Sequence, residues 1–225
     1  MLITDQKVLI VSPHPDDETL GVGGFIKKLI DHNNIVNILT ISGHLPPLYN
    51  QEDYNLTETE AKEAYKVLGV EKYFFMKIPA TYVKDEPISV LNGKIASYFE
   101  EFKPNIVLCP FPDRHIDHRV IFDSVMVASR PVNYGKDISL LAAYETLSET
   151  HWNAPYIEPN FNHNLVVDIS DQIETKLEAL RLYKSQIDED KGPRSVEAVK
   201  ALAKFRGSQA GFSFGEALYV IRQTL

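Results

Sequence analysis

His14-Pro15-Asp16-Asp17-Glu18 places one imidazole and three carboxylates in five consecutive positions. Carboxylates this close repel one another, and burial adds a desolvation cost for each charge. A bound dication relieves both, and histidine and aspartate are competent zinc ligands. The three acids also suit a helix start, where they cap free N–H groups and favour the positive end of the helix dipole. That alternative leaves His14 without a reason, because a protonated imidazole is unfavourable there. A second group, Pro112-Asp113-Arg114-His115-Ile116-Asp117-His118, has two histidines three apart, with Asp117 available to fix a histidine tautomer. Taken alone it reads equally well as a surface loop. The other four histidines, His32, His44, His151 and His163, form no close pair.

Elements of alternating type must position these groups. Lys7-Val8-Leu9-Ile10-Val11 is a short continuous apolar run, the pattern of a strand buried on both faces. A helix over 19–29 follows, then a strand over 35–41 and a long loop from Ser42 to about Asn55. Thr57-x-x-Glu60 is a capping box and predicts a helix from there to Leu68-Gly69. A strand over 72–78 and a helix over 89–102, stopped by Pro104, lead to a fourth strand over 105–109 and a helix over 118–129. Further strands are expected at 140–144, 164–169 and 218–221. Ser170 or Asp171 is expected to cap a helix bearing Ile173, Leu177 and Leu180, and Ser195 to Arg206 reads as helical. Repeated strand–helix alternation implies an α/β fold, a mainly parallel sheet with helices on both faces. Sites in such folds lie beyond the carboxyl ends of the strands. Both motifs follow buried strands, so they are expected to share one edge of the sheet. A zinc held by two histidines and one carboxylate keeps an open position, as a catalytic site requires.

The composition is compatible with this reading. The chain has 225 residues, 44% hydrophobic and 24% charged, which suits one domain spanning residues 1–225. Its formal net charge of −8 argues against nucleic acid or an anionic membrane surface as partner. The single cysteine, Cys109, excludes an intrachain disulfide and reads as a small core residue. No stretch approaches the roughly 18 to 20 apolar residues of a membrane span, and no secretory signal is evident, so a cytoplasmic location is expected.

His14-Pro15-Asp16-Asp17-Glu18, followed by Leu20-Gly21-x-Gly23-Gly24 and by His115-x-Asp117-His118, resembles the PIG-L/LmbE-like deacetylases. Leu202-Ala203-x-x-Arg206-Gly207 and Gly215-Glu216-Ala217-Leu218 resemble the family's C-terminal pattern. The resemblance implies a Rossmann-like fold and hydrolysis of the N-acetyl group of an N-acetylated amino sugar or sugar conjugate, releasing acetate. It implies that His14, Asp17 and His118 bind zinc, with iron, manganese or cobalt compatible with the same set. It implies Asp16 as general base, His115 as a protonated oxyanion stabiliser or proton donor, Asp117 orienting His115, and Glu18 supporting the loop. A homo-oligomer also follows from the resemblance. Many members have an arginine where this chain has Thr57, which leaves the sugar contact open.

Two other functions compete: an amidase acting on a larger sugar-thiol conjugate, and a metal-stabilised carbohydrate-binding protein without turnover. Several residues carry open readings. Ser42 and His44 either line a sugar pocket or sit in a surface loop. Tyr54 and Trp152 either stack on a sugar or are buried in the core. Arg206 either forms an ion pair in the C-terminal packing or contacts substrate. The run Asp188-Glu189-Asp190 reads as a solvated loop.

Overall fold

Seven strands form one mixed sheet in the computed structural model, which describes residues 3–154, 156–188 and 191–224. Glu189 and Asp190 of the acidic run lie outside the described residues. The chain runs β1 (Lys7–Ser12), α1 (Asp17–Asp31), β2 (Ile35–Gly43), α2 (Gln51–Leu68), β3 (Lys72–Pro79), α3 (Ile88–Phe102), β4 (Ile106–Pro110) and α4 (Ile116–Ala128). It continues with β5 (Leu140–Tyr144), β6 (Leu165–Asp168), α5 (Ile173–Leu180), α6 (Val196–Ser208) and β7 (Gly215–Gln223).

The strand order is β3-β2-β1-β4-β5-β7-β6. The first five are parallel, and β7 runs antiparallel to both β5 and β6. This agrees with the Rossmann-like α/β expectation of a mainly parallel sheet. One apolar layer packs Phe25 and Ile26 of α1, Leu68 of α2 and Tyr183 against Val8, Ile10 and Leu108. The opposite layer packs Leu91, Ile95 and Phe99 of α3, with Ile121 and Val125 of α4, against Leu9, Val11 and Val107. Strands β1 and β4 contribute alternate residues to both layers, which is why they read as unbroken apolar runs. The sequence leaves β1 in one direction and β4 in the other, so the switch point falls between these neighbours.

Two predicted helix starts are corrected. Helix α2 begins at Gln51, where Asn50 Oδ1 accepts from Asp53 N at 2.8 Å. Thr57 is therefore internal, and its hydroxyl donates back to Asp53 O and Tyr54 O. The Glu60 side chain reaches out from the helix to accept from Ser185 N and Oγ. Asn50 wins because it satisfies a free N–H seven residues earlier, and the longer helix then buries Tyr54. The N-cap position of α5 is Gln172, with no side-chain cap bond; Ser170 instead bonds Asp168.

Helix α1 breaks its own geometry at Val22 (φ −137°, ψ 20°). The freed groups are satisfied from outside the helix. Glu216 of β7 accepts from Gly24 N at 2.9 Å and Phe25 N at 2.7 Å. Lys176 of α5 donates to Leu20 O at 2.8 Å and to Glu216 at 2.6 Å. Gly21 allows Tyr144 to lie against α1: a Cβ there would come within 2.3 Å of the ring. Tyr144 also donates its hydroxyl to Val11 O at 2.9 Å, which ties β5 to the end of β1 immediately before the first motif. Among the described residues no helix is long and apolar enough to cross a membrane.

Candidate active site

The loop after β1 and the loop after β4 meet across the switch point. His14, His115 and His118 each present a ring nitrogen, and the three atoms lie within 4.8 Å of one another. Asp17 Oδ2 sits among them, 3.1 Å from His14 Nδ1 and 3.3 Å from His118 Nε2. Among the described residues, His118 Nε2 is buried and has no hydrogen-bond partner. Its other nitrogen, Nδ1, is held by Asp113 Oδ2 at 3.0 Å. The rear of His14 is held in the same way, with Nε2 2.9 Å from Asp117 Oδ2. Each of these imidazoles therefore has one nitrogen fixed by a carboxylate and the other turned toward Asp17. That arrangement orients a metal-binding histidine and raises its basicity.

The expected pairing of Asp117 with His115 does not occur. Asp117 Oδ2 lies 4.0 Å from His115 Nδ1 and is engaged by His14 and by Thr81 N at 2.8 Å. His115 Nδ1 instead accepts from Asp117 N at 3.2 Å. An imidazole that accepts at Nδ1 carries its proton on Nε2, so its free nitrogen is a donor. Burial and the neighbouring charges of His14 and His118 hold His115 down at about 4, so it is neutral rather than protonated as expected.

Asp16 lies in the wall of the pocket formed here and takes the N-cap position of α1, where its carbonyl accepts from Leu20 N. Its φ is 122°, a conformation that side chains other than glycine rarely adopt. Burial and the adjacent charge of Asp17 push its carboxyl well above the usual carboxylate range. Burial would also raise Asp17, but His118 and His14 hold its carboxyl far below that range. Burial opposes the charge on His14 and His118, yet their carboxylate partners prevail and lift them to about 9 and about 10. Glu18 is fully buried, accepting from Ser12 at 2.8 Å, Thr19 at 2.8 Å and Tyr183 at 2.6 Å; it supports the loop as expected.

A pocket of about 200 Å³ opens over these groups. Its outer wall includes His44, Tyr49, Thr146, Ser148, Gln186 and Arg194. A larger surface groove of about 900 Å³ along β3 and α3 contains none of the residues of either motif. His44 thus lines the pocket, its ring 4.3 Å from that of Tyr49, whereas Ser42 is not among the lining residues. Tyr54 is buried and Trp152 is half exposed beneath Arg114, so the core reading fails for Trp152. Arg206 pairs with Glu145 through two bonds of 2.8 and 2.7 Å, the ion-pair alternative. Asp113, Thr81 and Arg194 escaped the sequence reading. Only Asp113 carried a signal, a carboxylate five residues before His118 in a proline-bounded loop.

Known proteins share this arrangement of chain. Diacetylchitobiose deacetylase of Thermococcus kodakarensis is 30% identical, over 95% of this chain and 82% of that protein. The probable N-acetyl-alpha-D-glucosaminyl L-malate deacetylase 2 of Bacillus anthracis is 26% identical, over 81% of this chain and 82% of its own length. The structure of N,N'-diacetylchitobiose deacetylase from Pyrococcus horikoshii superimposes with a TM-score of 0.77 at 26% identity, covering 96% of this chain and 84% of that one. The model of the PIG-L family, GlcNAc-PI de-N-acetylase, matches residues 9–129, more than half of the sequence and both motifs, and the chain belongs to that family.

Proposed function

We propose that this chain is a zinc-dependent N-deacetylase that hydrolyses the acetamido group of an N-acetylated amino sugar or sugar conjugate. The observation that carries the reading is the convergence of His14 Nδ1, His118 Nε2 and Asp17 Oδ2, with both imidazoles fixed from behind by carboxylates. The residues fit a divalent cation: a buried imidazole nitrogen without a hydrogen-bond partner faces a carboxylate oxygen. His14, Asp17 and His118 would hold it. His115 is close enough to belong to the same cluster, but its proton on Nε2 suits donation better than ligation.

A bound cation supplies Lewis acidity, polarising the amide carbonyl and acidifying water. The side chains divide the remaining work. Asp16, confined by its backbone and raised in pKa, takes the proton of the attacking water as general base. His115 donates its Nε2–H to the oxygen that becomes negative as water adds to the carbonyl carbon. The C–N bond then breaks, with the proton held by Asp16 available to the departing amine. The products are acetate and a free amino sugar. Named relatives act on sugars with different aglycones, which supports the acetamido group as the common element.

The test is acetate release from zinc-loaded protein with a panel of N-acetylglucosamine compounds, alongside Asp16→Asn. Metal-dependent release, lost by about 100- to 10,000-fold in Asp16→Asn while that variant keeps its zinc, is the expected result. Stoichiometric zinc with no acetate from any member would reject the reading in favour of an amidase on a larger conjugate or a binding protein. Release of bulky acyl groups as fast as acetyl would favour the amidase alternative. Parallel loading with iron, manganese and cobalt identifies the preferred cation.

A further inference from the structure

Arg194 stands in the pocket wall, where its charge opposes the rise of the Asp16 carboxyl, and has no other role in the chemistry above. It is the only lysine or arginine among the described residues that line the pocket. Its backbone is pinned on both sides. Arg194 N donates to Asp188 Oδ2 at 2.9 Å, and the buried Ser195 that follows caps α6 by accepting from Ala198 N at 3.2 Å. The side chain therefore leaves from a fixed point. A guanidinium carries five N–H donors. Among the described residues its nearest carboxylate is Asp16, with Nη1 3.9 Å from Oδ2, beyond hydrogen-bond reach. Among the described residues Nε, closed off from solvent, has no hydrogen-bond partner. A donor left in that state costs free energy until an acceptor arrives.

The rest of the pocket sharpens what that acceptor is. Asp17 is offset by His14 and His118, but Asp16 and Glu149 line the same space, and among the described residues Arg194 is the one guanidinium there to offset them for an entering anion. A guanidinium fork matches two oxygens of a carboxylate or a phosphate, a geometry that lysine does not reproduce. We infer that Arg194 is a specificity-determining residue that receives an anionic oxygen group, a carboxylate or phosphate, carried by the substrate away from its acetamido group. The inference rests on the deacetylase reading for its place in a substrate, and on Arg194 alone for the charge it selects.

The experiment compares three N-acetylglucosaminides of similar size whose aglycones carry a hydroxyl, a carboxylate or a phosphate. Acetate release is measured for zinc-loaded wild type, Arg194→Gln and Arg194→Lys. Binding of the corresponding free amino glycosides is measured by calorimetry, which requires no turnover. Wild type should prefer an anionic member. In Arg194→Gln the anionic-to-neutral ratio of kcat/KM should fall by about 10- to 100-fold, mainly through KM, with Arg194→Lys between the two. The anion showing the larger fall names the group. Equal losses on neutral and anionic members would mean that Arg194 acts through Asp16, and would overturn the inference. So would wild-type turnover with no anionic preference in either readout, which would leave the deacetylase reading intact. Absence of acetate release, with anionic amino glycosides still bound at least about tenfold more tightly through Arg194, would sustain the subsite and remove the deacetylase reading instead. Neither turnover nor preferential binding would overturn both.

Discussion

Replacing Asp113 with asparagine changes one atom of a buried side chain and should cost metal affinity. Both carboxylate oxygens of Asp113 are committed. Oδ1 accepts from His115 N at 3.0 Å; Oδ2 is bonded to His118 Nδ1 at 3.0 Å and accepts from Thr150 Oγ1 at 2.8 Å. Asparagine retains one acceptor and turns the other position into a donor. If its carbonyl keeps the His115 backbone, its NH2 faces His118 Nδ1 and forces the proton of His118 onto Nε2. The nitrogen that now faces Asp17 then loses its lone pair. If the amide flips, its NH2 opposes the His115 N–H, and a buried donor is left unpaired. The first arrangement removes the lone pair that would ligate, and the second keeps it only at the cost of the unpaired buried donor. Loss of such a partner typically lowers metal affinity by about 10- to 100-fold, or about 1.4 to 2.7 kcal/mol. Competition with a chromophoric zinc chelator measures this directly, and urea unfolding of the metal-free variant verifies that it is folded. A folded Asp113→Asn protein that binds zinc within about twofold of wild type would refute the argument.

Three further outcomes are expected. His115→Ala should keep its zinc and lose about 100- to 1000-fold in turnover; loss of the metal would move His115 into the ligand set. His14 and His118, raised to about 9 and about 10, hold protons at neutral pH that ligation must displace. Zinc uptake at pH 7 should therefore release about two protons, and affinity should weaken as pH falls; calorimetry in buffers of different ionisation enthalpy would expose uptake without release. Gly21→Ala drives a methyl group to 2.3 Å from the Tyr144 ring and 2.8 Å from Glu145 O. Urea denaturation should register a loss of about 1 to 3 kcal/mol, and an unaltered midpoint would contradict the close approach.

Legibility in the sequence followed the range of the interaction. Strands β1 and β4 were readable because burial on both faces demands apolar residues at consecutive positions, a local property of the backbone. The span of α3 was readable for the same kind of reason, since Pro104 stops the helix locally; the structure buries its Leu91, Ile95 and Phe99. The start of α2 was not. Thr57-x-x-Glu60 and Asn50 are both competent caps, and the choice fell to the helix that buries Tyr54 and lets Glu60 reach Ser185. Antiparallel β7 could be read as a strand from its residues, but its insertion between β5 and β6 could not.

By itself the sequence determined that two clusters of ligating side chains follow two buried strands, and hence that they meet at one edge of a mostly parallel sheet. Residue types and short spacings carry that information. Which carboxylate serves which histidine was decided by the tertiary structure: Asp117 belongs to His14, 103 residues away, and Asp113 to His118. The same holds for Glu216, which satisfies the break in α1 from β7, and for Arg194, which reaches the pocket from the start of α6. Hydrogen bonds act over about 3 Å, so their partners exist only once strand order has brought distant segments to that distance.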